Sequence, residues 1–526
     1  MPRILNDLKV PLDEELADRL AQMIPGHGQF RILRQSVDAR QRHSPHFVYS
    51  VEVAGAGEEL SVEEFHLERV ALPASGFERP IIVGSGPAGL FAALRLVERG
   101  IPCVLLERGS DTVNRLRGIT KFWRYGELDR RNNVCYGEGG AGLYSDGKLI
   151  TRIKSPHIPY VLNRLVQFGA PAEIQWLANP HVGSDRIRRV IPFLREFLIA
   201  QGCEIHFDTQ VTELLVEAGS VVGVRTEHGK VFRSPSVVLA TGHSAEDMLL
   251  HLRDQGVALE GKSFAMGLRI EHPQELINQI QYRGAAGHPK LGSANYRLAD
   301  HDPFDDVGVY SFCMCPGGYV LSSGTEAGGI VVNGMSNYHR NSPFANAAMV
   351  VSIDFEKHFG KDLWGGLKMR ASLERRAFES VKTAGGTREL PAQKLSDFVA
   401  GRVGSVTKGS SPSGQIGVRL DEILPRDLVA RMLKSMEKFE KNMRGFASDS
   451  AQLYGVESRT SCPIRVSRSD DTLESVSHPG LYPAGEGAGY AGGITSAACD
   501  GIRIAEKIAE RVAGRVLAAG GTAKRL

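Results

Sequence analysis

The residues of this chain whose types and spacing suit chemistry lie in glycine-rich turns. The first is Gly84-x-Gly86-x-x-Gly89. It follows the β-branched run Ile81-Ile82-Val83 and opens a stretch with Leu90, Ala93, Leu94 and Val97 at helical spacing. Gly100 ends that stretch, a second apolar run covers Ile101 to Leu106, and Glu107 and Arg108 stand at its carboxyl end. In this strand–turn–helix–strand order, Gly84 allows the tight turn and Gly86 lets a pyrophosphate approach the helix that Pro87 and Ala88 begin. Gly89 permits close helix–strand packing. Glu107 stands where an acid accepts hydrogen bonds from an adenosine ribose. A glycine turn alone would be an ordinary loop; with both strands and the helix present, the segment reads as a dinucleotide site.

Three later segments extend it. Tyr136 to Lys148 has too many glycines for a helix or strand, and its successive N–H groups, around Gly139, Gly140 and Ser145, suit an anion-binding nest. Asp146 and Lys148 are expected to serve this loop, as an ion pair. An apolar strand from Ser236 ends in Thr241-Gly242-His243. Near the C-terminus, Leu481-Tyr482 runs into Gly485-Glu486, and Gly492-Gly493-Ile494 opens a helix of small apolar residues. A second helix N-terminus aimed at the ligand suits FAD, whose ribityl chain and isoalloxazine extend well beyond the first phosphate site.

Other candidates keep two readings each. In a strand, Cys313 and Cys315 share one face. They are a thiol near the flavin, a metal pair, a polar cavity lining, or two small buried residues. No second cysteine or histidine pair with ligand spacing accompanies them, so no metal is expected. Tyr338 and His339, with Asn333, offer hydrogen bonds or a proton. Arg459 and Arg465 flank Cys462 and either anchor a substrate carboxylate or phosphate or make structural ion pairs. His243 either touches the cofactor or starts a helix. Arg186, Arg188 and Arg189 either meet a phosphate or form a solvated face.

The elements that must position these groups divide the chain into four. Residues 1–75 read as a small α+β, ferredoxin-like unit: a strand Ile4 to Val10, a helix Asp13 to Met23, and strands Phe30 to Arg34 and His46 to Val53. Residues 76–260 form the first part of an α/β, Rossmann-like FAD-binding domain, and 470–526 complete it. Between them, 261–469 read as a mainly β insertion. Its strands are expected near 263–270, 309–315, 319–322 and 330–333, with Pro316-Gly-Gly as a hairpin turn. Residues 345–385 and 421–445 look helical, and Glu457 to Ser467 returns as a strand.

Composition narrows the classes. The 526 residues carry 63 Lys+Arg against 60 Asp+Glu, a near balance that favours neither nucleic acid nor an anionic membrane surface. No apolar stretch is long enough for a membrane span, and the first residues lack the apolar core of a signal peptide. Seven cysteines without a framework suit reduced thiols in the cytoplasm.

The pair of turns at Gly84 and Gly485 resembles the FAD-dependent oxidoreductase superfamily related to glutathione reductase. That resemblance implies that Glu486 binds the ribityl hydroxyls or pyrophosphate region and that the 136–148 loop wraps the pyrophosphate and the middle of the flavin. It also implies that the insertion at 261–469 is a substrate or cap domain, that the backbone near Val211 meets the adenine edge and that Thr241-Gly242 closes over FAD. Ser36 to Arg40, Gly137 to Leu149, Ser311 to Tyr319 and Gly485 to Gly501 resemble more closely a poorly characterised bacterial and plastid group of FAD-dependent dehydrogenases with an extra N-terminal domain. The implied activity is hydride exchange between flavin N5 and a small organic substrate, at a carbon–carbon bond. Alternatives are a flavin monooxygenase, or a binding or regulatory flavoprotein with structural FAD. No second strand–GxGxxG–helix unit follows residue 110, so NAD(P)H is expected to dock transiently over the flavin or not at all, in which case electrons come from the substrate itself or from an electron-carrier protein.

Overall fold

The structure, a computed structural model, describes residues 2–40, 44–60 and 78–518. A five-stranded parallel sheet runs in the order Leu481–Pro483, Val237–Leu239, Ile81–Val83, Val104–Leu106, Glu204–His206. Every residue of its first four strands is buried, which is why these short runs are continuously apolar rather than alternating. The helices Pro87–Glu98 and Ile494–Ala518 pack against each other beside it. Two glycines permit the close packing. A Cβ on Gly89 would lie 1.9 Å from the Gly84 carbonyl oxygen, and one on Gly501 would lie 2.1 Å from that of Ala88. An antiparallel meander, Val211–Glu217, Ser220–Thr226 and Val231–Arg233, shares the core on the other side of the sheet.

The inserted region is built on a seven-stranded sheet, in the order Ala299–Asp302, Val307–Cys315, Phe344–Ile353, Phe264–Pro273, Gln452–Glu457, Leu390–Lys394, Gln415–Gly417. All its pairs are antiparallel except the last. Helices Gly365–Thr383 and Arg426–Asn442 pack into its core. Three expectations are corrected here. Residues 344–353 are a central strand, not helix; the run is buried on both faces between two partners, and pairing on both edges overrides the helical preference of its alanines. Pro316-Gly317 is not a hairpin turn: the strand before it belongs to the large sheet, while Gly318–Ser322 pairs only with Val332–Ser336. Glu457 ends a strand, and the chain becomes strand again only at Ile464–Val466.

At the N-terminus, strands Arg3–Pro11, Phe30–Asp38 and His46–Val53 form an antiparallel sheet in the order first, third, second, with helix Leu16–Met23. This is the βαββ half of the expected ferredoxin-like unit, and residues 61–77 lie outside the described residues. The unit docks on the FAD-binding region through its second strand: Gln35 N–H donates to the Trp176 carbonyl and Ala178 N–H to that of Gln35, each at 2.8 Å. Among the described residues, no helix is long and apolar enough to cross a membrane.

Candidate functional site

A cavity of about 360 Å³ opens where the two helix N-termini, the glycine-rich loop and the inserted sheet meet. Gly84, Gly86, Pro87 and Ala88 line it from the first turn, and Glu486, Gly492, Gly493 and Ile494 from the second. Gly140, Ser145, Asp146 and Lys148 contribute the loop wall; Val211, Thr241 and Gly242 line it as well. Gly89, Gly139 and Gly485 do not reach it and instead shape the turns. Gly139 sits at φ +83°, where a Cβ would lie 2.1 Å from Leu143. The Gly485 N–H donates to Asp500 at 2.8 Å, and Arg468 pins that carboxylate through bonds of 2.6 and 3.0 Å.

The walls have room for a dinucleotide. A Cβ on Gly242, Gly492 or Gly493 would meet nothing within 4 Å, and the nearest atom to one on Gly86 is the Gly140 Cα at 3.8 Å. These glycines border open space. Two helix N-termini face the same cavity, and first-turn N–H groups are the donor set that a pyrophosphate needs.

The ionisable wall groups are mostly paired. Glu107 is buried, and its carboxylate accepts from Ser85 N–H (2.9 Å), Ser85 Oγ (2.7 Å), Gly109 N–H (2.9 Å) and Gly137 N–H (3.1 Å). It thus holds the first turn to the glycine loop in addition to lining the cavity. Arg108 pairs with Asp247 at 2.9 Å and lies over the Tyr136 ring. The expected Asp146–Lys148 ion pair is not formed. Asp146 pairs with Arg340 at 2.5 Å and accepts from Ser336 Oγ, because the inserted hairpin brings both to it. Lys148 donates instead to the Met314 carbonyl. Glu486 has its carboxyl pushed up to about 7 by burial, a rise that Lys262 partly offsets.

The two cysteines do not share a face. Cys313 sits at φ +43° in a bulge, where Phe312 opposes Ala348 and Cys315 opposes Asn346. The extra residue turns the Cys313 side chain into the cavity and leaves Cys315 buried behind it. Burial pushes the Cys313 thiol up to about 11 and the Cys315 thiol to about 12, so both are protonated at neutral pH.

Tyr338 and His339 do not line the cavity. Tyr338 stacks on His181, gives its hydroxyl to Glu173 and carries Arg186 over its ring. Arg459 does line it, but forms a buried bidentate pair with Glu374 at 2.8 and 3.0 Å and donates to Thr325. Arg465 pairs with Glu260, and Cys462 is buried in the core. His243 lines the cavity with Nδ1 2.8 Å from Ser244 Oγ. Burial, reinforced by Arg370 and Arg459, lowers its pKa to about 3.

Sequence reasoning missed Arg269 and Glu457. Arg269 is fully buried in the strand Phe264–Pro273 and binds Glu457 through both carboxylate oxygens, at 2.8 and 3.0 Å, with Asn346 at 2.8 Å. Glu457 lines the cavity. The available signal was an arginine in the otherwise apolar run Phe264 to Ile270, which requires a buried partner.

This fold and cavity are those of an FAD-binding oxidoreductase, and comparison with known proteins agrees. Residues 79–124 match the FAD binding domain family, 170–293 the FAD dependent oxidoreductase family, and 263–460 the family described as FAD-dependent protein, C-terminal domain-like. Residues 1–54 match a domain of unknown function. The chain belongs to the FAD-dependent oxidoreductase family, together with an uncharacterized protein of Clostridium beijerinckii that is 39% identical over 521 residues, 96% of this chain and 97% of that one. An NADH:fumarate oxidoreductase of Klebsiella pneumoniae is 26% identical over 195 residues, 31% of this chain and 20% of its own length. The structure of a glycerol-3-phosphate dehydrogenase from Bacillus halodurans complexed with FAD shares 12% identity at a TM-score of 0.34, over 86% of this chain and 66% of that one.

Proposed function

We propose that this flavoenzyme exchanges a hydride between FAD and a small organic substrate that enters beside the inserted sheet. The observation that carries the reading is continuity. Phe312, Cys313, Asn333 and Glu457 of the insertion line the same cavity as both nucleotide turns, so cofactor and substrate would share one enclosed space. When bound, FAD supplies the redox chemistry through its ring N5.

The chain's own groups supply orientation and exclusion of water. The Arg269–Glu457 pair fixes the inserted wall, and the cysteine bulge sets where that wall approaches the cavity. Cys313 remains a thiol and His243 remains neutral at physiological pH, so neither is an ionised nucleophile or a strong base. This supports simple hydride exchange, at a carbon–carbon bond, over covalent catalysis by the protein. Electrons come from the substrate itself or from a carrier protein, with NAD(P)H, if it docks at all, a slow and transient donor.

Anaerobic photoreduction of the holoprotein, followed by oxygen, quinones and artificial organic acceptors, tests the proposal. Reoxidation by organic acceptors is expected, with slow or absent bleaching by NADH or NADPH in stopped flow. A flavin that no donor or acceptor turns over would assign FAD a structural role, and oxygen-dependent hydroxylation would assign a monooxygenase.

A further inference from the structure

The cavity wall contains ionisable groups in two states. Glu107 is saturated by four donors, Arg108 is paired with Asp247, Asp146 with Arg340, Arg459 with Glu374 and Glu457 with Arg269. Lys148 is different. Among the described residues its ammonium has one protein partner, the Met314 carbonyl, and no carboxylate. A half-buried cation held by a single neutral acceptor retains two donor positions and an uncompensated charge.

Its surroundings indicate which part of the cavity it serves. Met314 follows the bulged Cys313, whose side chain opens into the cavity. Arg269 donates both to the Cys313 carbonyl (3.3 Å) and to Asn333 Oδ1 (3.4 Å), which also accepts from Gly334 N–H at 2.7 Å. The Asn333 amide oxygen is therefore engaged, while its NH₂ group has no protein partner among the described residues and belongs to a cavity-lining side chain. Lys148 is thus bonded to the residue that follows the bulge, and Arg269 links the Asn333 side chain to the carbonyl of the bulged residue. Glu486, a further wall group, belongs to the second nucleotide turn and feels Lys262.

We propose that Lys148 and Asn333 form an anion subsite for the substrate, and that the substrate of this enzyme carries a carboxylate. An ammonium and an amide NH₂ lining one cavity suit the two oxygens of a planar carboxylate, charge-assisted at one of them. This rests on the hydride-exchange reading for the word substrate, but its test does not require turnover.

The oxidised, FAD-loaded protein would be titrated with benzoate, succinate and inorganic phosphate while the visible flavin spectrum is followed. Saturable perturbation by the carboxylates is expected in the wild type. Lys148→Met should weaken it by about tenfold to a hundredfold and Asn333→Leu by about tenfold, as befits loss of a charged and a neutral hydrogen bond. Lys148→Arg should retain it, which separates charge from packing. FAD content per chain is measured in all three variants and should be unchanged in Asn333→Leu. Loss of FAD in Lys148→Met would overturn the proposal, because the ammonium would then serve the cofactor. So would carboxylate affinities unchanged in both Lys148→Met and Asn333→Leu, phosphate binding as tight as the carboxylates, or no perturbation of the wild type. If the Lys148 variant does not fold, the Asn333 arm decides alone. Carboxylate binding without any turnover would keep this subsite and remove the hydride-exchange reading.

Discussion

Arg269 and Glu457 meet behind the cavity wall as a buried bidentate pair, with Nε 2.8 Å from Oε2 and Nη2 3.0 Å from Oε1. They come from adjacent antiparallel strands of the inserted sheet. Burial raises the carboxyl of Glu457, and Arg269 opposes that rise.

Removing one partner of this pair should cost more than either side chain's size suggests. Arg269→Met leaves a buried carboxyl without its cation and should destabilise the protein by about 3–5 kcal/mol. Denaturant unfolding of the apoprotein measures this. A loss under 1 kcal/mol would mean that water reaches Glu457.

Gly84 and Gly86 should fail in different ways. A side chain at Gly84, at φ +106°, would place Cβ 2.3 Å from the Ala240 carbonyl oxygen, so Gly84→Val should not give folded protein. At Gly86 a Cβ makes only ordinary contact. Gly86→Val should therefore fold, with a circular dichroism spectrum like wild type, yet emerge from gel filtration colourless. Full flavin in that variant would displace the pyrophosphate seat from this turn.

Glu107→Ala should weaken FAD binding and also the fold. A purely ribose-binding acid would affect the cofactor alone, but here the substitution strips four donors of their acceptor. A loss of about 2–4 kcal/mol is expected in apoprotein unfolding, after partial rescue by water. Unchanged apoprotein stability with weaker FAD would restore the ribose role as its main one.

Glu486 should make the apoprotein less stable as pH rises. Its folded-state value of about 7 lies above the ordinary 4.5 because of burial. The stability it contributes is therefore complete below pH 4.5 and is lost as pH climbs through 7. Glu486→Gln, which resembles the protonated form, should lack that loss and gain about 1–3 kcal/mol over wild type above pH 7. Parallel stability–pH curves for the two proteins would contradict this.

Cys313→Ser should retain turnover, since a thiol held near 11 supplies no thiolate at neutral pH. Cys315→Ser should also turn over, with a stability loss of about 1–2 kcal/mol from placing a hydroxyl in a closed core. Initial rates and thermal melts check both. Complete loss of activity in both variants, with flavin retained, would establish a redox role.

The glycine turns were legible in the sequence because their requirements are local. The spacing of Gly84, Gly86 and Gly89 encodes one strand–turn–helix crossing, and the short buried strands are apolar throughout. The same locality made Gly492-Gly493-Ile494 readable as a helix entry. The inserted sheet was less readable. The alanine-rich run at 344–353 favours helix by itself, and only strands some eighty residues earlier and about forty earlier make it a central strand.

Partnership among charges was decided by tertiary structure alone. Asp146 and Lys148 are two residues apart and opposite in charge, yet Asp146 binds Arg340, 194 residues away, and Lys148 turns to a backbone carbonyl. Likewise, strand periodicity puts Cys313 and Cys315 on one face, whereas one extra residue against the facing strand separates them. Sequence by itself determined that FAD is bound and where the glycine turns that border the cavity lie, because those turns are set by backbone geometry within a few residues. The wall opposite them was determined by long-range pairing, since burial forces each charged group to take whichever partner the packed sheets bring within reach.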